Sequence, residues 1–415
     1  MTRRRFLMQA GGAILCGFAT GDRAMPKTQQ TMPGSSGVTG TPRGDSRRVK
    51  LFLCGDVMIG RGIDQILAHP GNPRLFERYV GSAKEYVEIA ERASGAIPRR
   101  VGPAYIWGDA LAELERARPD VRLVNLETAV TTAGDAWPRK GIHYRMHPAN
   151  AQCLVAAKID CCVLANNHVL DWGYGGLEET IATLHAAGIR SVGAGKDAAQ
   201  AAAPVVIDTP SGVRVLVCAS GSPSAGVPMA WAARQRRAGV NLLDEYAPDA
   251  AEHVARDVRA MKQPGDLVIA SIHWGGNWGY DVPREHQQLA HRLVDDAGVD
   301  VVHGHSSHHP RPIEVYRDKL ILYGCGDFLN DYEGIGGYES FRPELSLMYL
   351  PELDPASGRL LRLTVVPTCI RRFRVNRAAE KDAAWLLEML NREVRPVGTS
   401  FEAQPGGALE LRLCG

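Results

Sequence analysis

The chain has 415 residues, 45% of them hydrophobic and 23% charged, with a formal net charge of +2. That length can bury one large core with room for an appendage, and the composition excludes a collagenous, fully disordered or multi-spanning protein. Arg3, Arg4, Arg5 and Arg23 against Asp22 contribute +3 within the first 24 residues, so the remainder carries about −1 and offers no basic surface to a nucleic-acid partner.

Residues 1–24 read as an address rather than as structure. Thr2-Arg3-Arg4-Arg5-Phe6-Leu7 matches the twin-arginine export pattern, and the apolar stretch Met8–Ala19 is too short and too rich in glycine (Gly11, Gly12, Gly17) to span a bilayer. The expected location is periplasmic or otherwise extracytoplasmic. Residues 25–48, rich in Pro, Gly, Ser and Thr, read as a flexible linker.

From Val49 the pattern changes to apolar runs alternating with helical stretches. Val49–Cys54 runs into Gly55-Asp56, Val121–Val124 into Asn125-Leu126-Glu127, and Cys161–Ala165 into Asn166-Asn167-His168. Further on, Leu267–Ile272 ends at His273, Val299–Val302 at His303-Gly304-His305, and Leu320–Tyr323 at Gly324-Cys325-Gly326-Asp327. Helices are expected between them at Tyr105–Arg116, Leu177–Ala187, Ala251–Met261 and Gln287–Ala297. Such alternation predicts an α/β protein with helices on the faces of a sheet, and ligands in such sheets gather beyond the carboxyl ends of the strands. Here those ends carry carboxylates, amides and imidazoles, the donors that suit Mn, Fe, Zn or Mg.

Leu345–Leu350 and Leu360–Val366 flank the turn Asp354-Pro355-Ala356-Ser357-Gly358 and predict an antiparallel hairpin, read as part of a second sheet. The architecture expected is therefore a two-sheet sandwich flanked by helices, over residues 49–375. Residues 376–415 are read as a C-terminal helix, over 379–395, and a loose tail with a short strand. Cys54, Cys161, Cys162, Cys218 and Cys325 lie in or beside strand-like runs and read as small buried hydrophobes. Gly193-Ala194-Gly195-Lys196 lacks the hydroxyl of a phosphate loop, and Ser222 blocks the glycine that a nucleophile elbow at Ser224 needs.

Taken in order, Gly55-Asp56-Val57-Met58-Ile59-Gly60-Arg61, Asn125-Leu126-Glu127, Ala165-Asn166-Asn167-His168, Leu170-Asp171-Trp172-Gly173, His273-Trp274-Gly275, the histidine segment Gly304–Glu314 and Leu322–Phe328 form a series that resembles the CapA family of capsule-synthesis proteins. The resemblance implies a metallo-dependent phosphatase-like (calcineurin-like) fold, a divalent metal centre of one or two ions, and a link to poly-γ-glutamate. It implies Asp56, Glu127, Asn167, His273, His305 and His308 as metal ligands, with Glu127 between two ions, and His168, held by Asp171, as an acid/base group. Arg61 and Arg145 are expected to hold an anionic substrate, small molecule or polymer, because arginine suits bidentate contact to carboxylate or phosphate. Arg139, Lys140 and Arg311 are weaker candidates for the same task.

Three departures bear on the chemistry. Met58 occupies the histidine position of the Asp-x-His element of the wider phosphatase superfamily, and a thioether is a poor donor to a hard cation. Ser306 stands where the family pattern has an imidazole, so either His305 substitutes or the loop is re-registered, with His303 a third candidate. Asp327 replaces an asparagine and adds a carboxylate at the site edge. Three functions are open on these grounds: a metal-dependent hydrolase of phosphoesters, or of another ester or amide such as a γ-glutamyl bond; a non-catalytic accessory protein that binds the polymer or a membrane synthase complex and assists export; and a binding module whose metal is purely structural.

Overall fold

The computed structural model describes residues 48–395 and 399–413. The expected export signal, and the linker up to residue 47, lie outside the described residues. Four parallel strands come first: β1 (Val49–Val57), β2 (Val121–Leu126), β3 (Cys161–Val163) and β4 (Arg190–Val192). The chain then builds a second sheet from β5 (Val205–Asp208), β6 (Arg214–Gly221), β7 (Leu267–His273), β8 (Val301–His305), β9 (Ile313–Tyr316) and β10 (Lys319–Leu322). Its central strands β6, β7, β8 and β10 are parallel, and the edge strands β5 and β9 run against them. It returns to the first sheet through β11 (Asp327–Leu329), β12 (Leu345–Leu353), β13 (Leu360–Ile370), β14 (Val375–Arg377), β15 (Ser400–Ala403) and β16 (Leu409–Arg412).

Two expectations are corrected here. The hairpin β12–β13 joins the first sheet, β12 pairing antiparallel with β1, while the second sheet is made by the β5–β10 segment. Nothing in an apolar run states which strand it will pair with. The tail also holds two strands rather than one, and they join the first sheet. β15 and β16 pair with each other, β16 pairs with β13, and Phe401, Leu409 and Leu411 bury in the main core.

Side-chain alternation explains how the two sheets meet. Successive residues of a strand face opposite sides. In β6, Val215, Val217 and Ala219 enter the large core shared with Phe52, Val124 and Val163 of the first sheet. Leu216 and Cys218 point the other way, toward the apolar faces of helices Ala250–Arg259 and Arg284–Asp295. The same rule in β7 puts Leu267 and Ile269 between the sheets, and so continues with Ser271 and His273 on that side. In β8 it carries Val301 into the same core and aligns His303 and His305 with it. A polar tip thus grows from an apolar face, at the carboxyl ends of the strands. No helix among the described residues is long and apolar enough to cross a membrane.

Candidate metal centre

Asp56 is the hub. It sits at an irregularity of β1, where pairing with β2 skips between Leu53 and Asp56. A Cβ on Gly55 would lie 1.6 Å from the carbonyl oxygen of Gly326, so only glycine lets the two loops close, and the Asp56 amide donates to that same oxygen at 2.9 Å. This contact brings Asp327 of β11 alongside Asp56. The Asp56 carboxylate accepts from Asn125 Nδ2 at 2.7 Å and from the Ser306 amide at 3.2 Å. Asn125 is held in turn by Asn166, whose Nδ2 donates to Asn125 Oδ1 at 3.0 Å and to the Leu126 carbonyl at 2.9 Å.

Two groups of donors converge on this carboxylate. Asp56, His273 and His305 bring one ligand atom each within 4.8 Å of one another, and so do Asp56, His308 and Asp327. His273 Nδ1 lies 2.8 Å from His305 Nδ1, and His305 Nδ1 lies 3.9 Å from Asp56 Oδ1. Glu127 Oε1 is 3.8 Å from Nε2 of both His168 and His273. His308 Nδ1 lies 2.9 Å from Asp327 Oδ1.

The electrostatics describe a cage short of positive charge. Burial, reinforced by Asp327, pushes the Asp56 carboxyl up to about 7, and it lies close enough to Glu127 to share a proton. Burial and the neighbouring Asp56 drive Glu127 well above the usual carboxylate range. His273 and His305 are both driven down by burial, so neither imidazole compensates the carboxylates by carrying a proton. Glu127 Oε2, Asn167 Oδ1 and His273 Nε2 are buried without any hydrogen-bond partner. Orphaned buried acceptors at three of the expected ligands, beside carboxyls that only protons neutralise, are what a divalent cation would satisfy, and the mixed nitrogen and oxygen donors fit Mn, Fe or Zn.

Each expected residue can now be placed. Asp56, His273, His305 and His308 converge as described; Glu127 lies beside His168 and His273 but in neither compact donor group, and Asn167, two residues beyond Ala165, has a buried carbonyl oxygen without a partner. Both alternatives for the histidine loop hold in part: His305 joins the first group and His308 the second, while Ser306 contributes only its amide, from a backbone φ of +100°. His303 is no ligand, since its nitrogens face the Cys54 carbonyl at 2.8 Å and Ser271 Oγ at 3.0 Å. His168 and Asp171 are paired at 2.6 Å, and Lys140 Nζ lies 2.6 Å from the other carboxylate oxygen of Asp171. Burial and Lys140 push His168 down to about 4 despite Asp171, leaving a neutral ring. Asp171 must accept the Nδ1 hydrogen, because two acceptors at that distance would repel, and His168 Nε2 therefore faces Glu127 bare.

Arg61 and Arg145, expected to hold substrate, are both engaged by partners within the protein. Arg61 is buried, donates to both oxygens of Asp331, pairs with Glu77 at 2.9 Å and lies over the rings of Tyr86 and Tyr144. Arg145 donates to the carbonyls of Ala133 and Asn72 and lies 3.6 Å above the Trp172 ring. Their acceptors come from segments whose proximity the sequence does not state. Asp327 was legible only as an edge carboxylate, yet it completes the second donor group; its departure from the family's asparagine was the signal.

The family model for bacterial capsule synthesis proteins, PGA_cap, matches residues 50–332. A probable polyglutamine synthesis accessory protein of Mycobacterium tuberculosis is 51% identical over 364 residues, covering 88% of this chain and 96% of that protein. The PGA biosynthesis protein CapA of Bacillus subtilis is 26% identical over 280 residues, 67% of this chain and 62% of that one. The capsule biosynthesis protein CapA of Bacillus anthracis is 25% identical over 287 residues, 69% and 61% of the respective chains. The matched span contains every residue of both donor groups, and the chain belongs to the CapA family of bacterial capsule synthesis proteins.

Proposed function

We propose that this chain is an exported, metallophosphatase-like hydrolase that acts, outside the cytoplasmic membrane, on a phosphoester or on a γ-glutamyl or similar ester or amide bond in the production of poly-γ-glutamate or a related envelope polymer. The observation that carries the reading is the convergence of two donor groups on Asp56, with unpartnered ligand atoms on Glu127, Asn167 and His273. Asp56, His273 and His305 would hold one cation, and Asp56, His308 and Asp327 a second. Divalent cations there would supply Lewis-acid polarisation of the scissile group and a water acidic enough to attack at neutral pH. His168, locked by Asp171 with Nε2 bare, is arranged to take a proton rather than to give one. Asn167, with its buried carbonyl oxygen unpartnered, would offer that oxygen to a cation.

The test is protein recovered with Mn, Fe or Zn, offered an activated phosphodiester and a γ-glutamyl peptide. Turnover that needs the metal and disappears in His273→Ala is expected; a folded, metal-loaded protein inert toward every such substrate would sink the hydrolase reading. Export is tested by fractionating cells that express Arg3→Lys/Arg4→Lys, whose retention in the cytoplasm is expected.

A second reading is favoured by the name of the mycobacterial relative, an accessory protein, and by Met58, which removes a donor. In it the chain binds the polymer or its membrane synthase without chemistry. Polymer output that survives joint replacement of Glu127 and His273 by alanine would decide for it.

A further inference from the structure

Ser271 and His303 belong to neither donor group, yet both are wholly buried on the inter-sheet side of β7 and β8, beside the residues that do. His303 Nε2 lies 2.8 Å from the Cys54 carbonyl oxygen, and His303 Nδ1 lies 3.0 Å from Ser271 Oγ. The same hydroxyl lies 3.0 Å from His305 Nε2. Read one donor at a time, these contacts have a single consistent direction.

A carbonyl oxygen only accepts, so His303 Nε2 carries a hydrogen. His303 is wholly buried and its two nitrogens meet only the Cys54 carbonyl oxygen and Ser271 Oγ, so an imidazolium there would lack a counter-charge and is strongly disfavoured. The ring is therefore neutral and its Nδ1 is bare. That atom accepts the one hydrogen of the Ser271 hydroxyl, which leaves Ser271 Oγ only lone pairs to offer His305. His305 Nε2 must then donate. The reverse direction would set a bare His303 Nε2 against the Cys54 carbonyl oxygen at 2.8 Å, lone pair against lone pair.

We propose that the Cys54 carbonyl, His303 and Ser271 form a one-way hydrogen-bond relay that locks His305 in its Nε2–H form and so presents the bare Nδ1 to the cation shared with Asp56. The proposal rests on the reading of Asp56, His273 and His305 as a cation site. Ser271 and His303 are positioning residues, acting through His305. The relay also spans the two sheets: Cys54 stands two residues before Asp56 on β1, whereas His303 and His305 stand on β8. One chain of three contacts thereby sets both the tautomer of the imidazole and its distance from the carboxylate. Partners that orient metal-binding histidines in this way typically account for 10–100-fold in metal affinity.

The experiment has two arms on the full chain. In metal-free protein labelled with ¹⁵N-histidine, two-bond proton–nitrogen correlations should report His303 and His305 as Nε2–H rings with unprotonated Nδ1; His305 found as the Nδ1–H ring overturns the relay. In a chelator competition, Ser271→Ala should bind divalent metal about 10–100-fold more weakly. His303→Gln, which keeps an N–H for the carbonyl and an oxygen for the hydroxyl, should retain affinity, while His303→Leu loses it. Unchanged affinity in Ser271→Ala, or equal losses in His303→Gln and His303→Leu, also overturns it. The spectrum needs no variant and stands even if one fails to fold. Wild-type protein that binds no divalent metal at all removes the cation site instead, and the tautomer still judges the relay.

Discussion

Metal-free protein should lose stability as pH rises, and the metal-loaded form should not. In the folded chain the Asp56 carboxyl keeps its proton up to about pH 7, against an ordinary 3.8, because it is buried and faces Asp327. The folded state therefore binds more protons than the unfolded state between those two values. Stability from this group is whole below about pH 4 and is lost as pH climbs through 7. At 1.36 kcal/mol per decade the loss is about 4 kcal/mol, and the raised Glu127 acts in the same direction. For a chain of this size, with an unfolding entropy of about 2 cal/mol/K per residue, that corresponds to a Tm lower by about 5 °C. A bound cation replaces the protons, so its affinity should rise with pH and cancel the decline. The assay is thermal unfolding from about pH 4 to 8 with chelator and with excess Mn. A chelated protein whose Tm holds steady or rises across that range, with Asp56→Asn behaving as wild type, refutes the charge argument.

Two shorter predictions concern residues whose roles the structure reassigns. Arg61→Ala should destabilise by about 3–5 kcal/mol, because it strands the buried Asp331 carboxylate; a shifted urea midpoint with unaltered metal affinity is expected, and a change in ligand binding alone would return Arg61 to the site. Lys140→Met should move the His168 titration upward from its present value of about 4, since the ammonium depresses it while Asp171 supports it; an NMR titration in which His168 stays put or falls would count against the Lys140–Asp171–His168 arrangement.

What the sequence made legible was local: which strand ends carry donors. Asp56, Glu127, Asn167, His168 and His273 each stand within three residues of the end of an apolar run, and for His273, inside β7, a period of two fixes the side it faces. What it hid was pairing at a distance. Arg61 reads as a substrate-holding arginine at the end of the first motif until Asp331, 270 positions away, is seen to clamp it. Between His303, His305 and His308 the sequence left a choice, because the answer depends on backbone: the left-handed Ser306 turns the chain so that His305 faces the first group and His308 the second. The hairpin at β12–β13 was recognisable from its turn, but its partner was not, since either sheet offered an edge of the right polarity.

Met58 and Asp327 are best considered together. The thioether is fully buried and takes a hydrogen bond from the Tyr332 hydroxyl at 3.6 Å, so the position lost to metal chemistry is given over to packing. Asp327 restores a donor from another strand, oriented by Asn330 Nδ2 at 2.8 Å and by His308 at 2.9 Å. The exchange changes how the two groups should fill. In the first, both imidazoles are neutral and need shed no proton. In the second, Asp327 holds the His308 ring above its ordinary range, so a cation must displace a proton from it. Whichever group fills first takes the proton of the shared Asp56, but only the second must also displace one from an imidazole, so the first group should load at lower metal concentration than the second. Calorimetric titration should give two steps, of which the weaker vanishes in Asp327→Asn; one step of two equivalent ions, unaltered by that substitution, would mean that Asp327 does not replace the missing histidine.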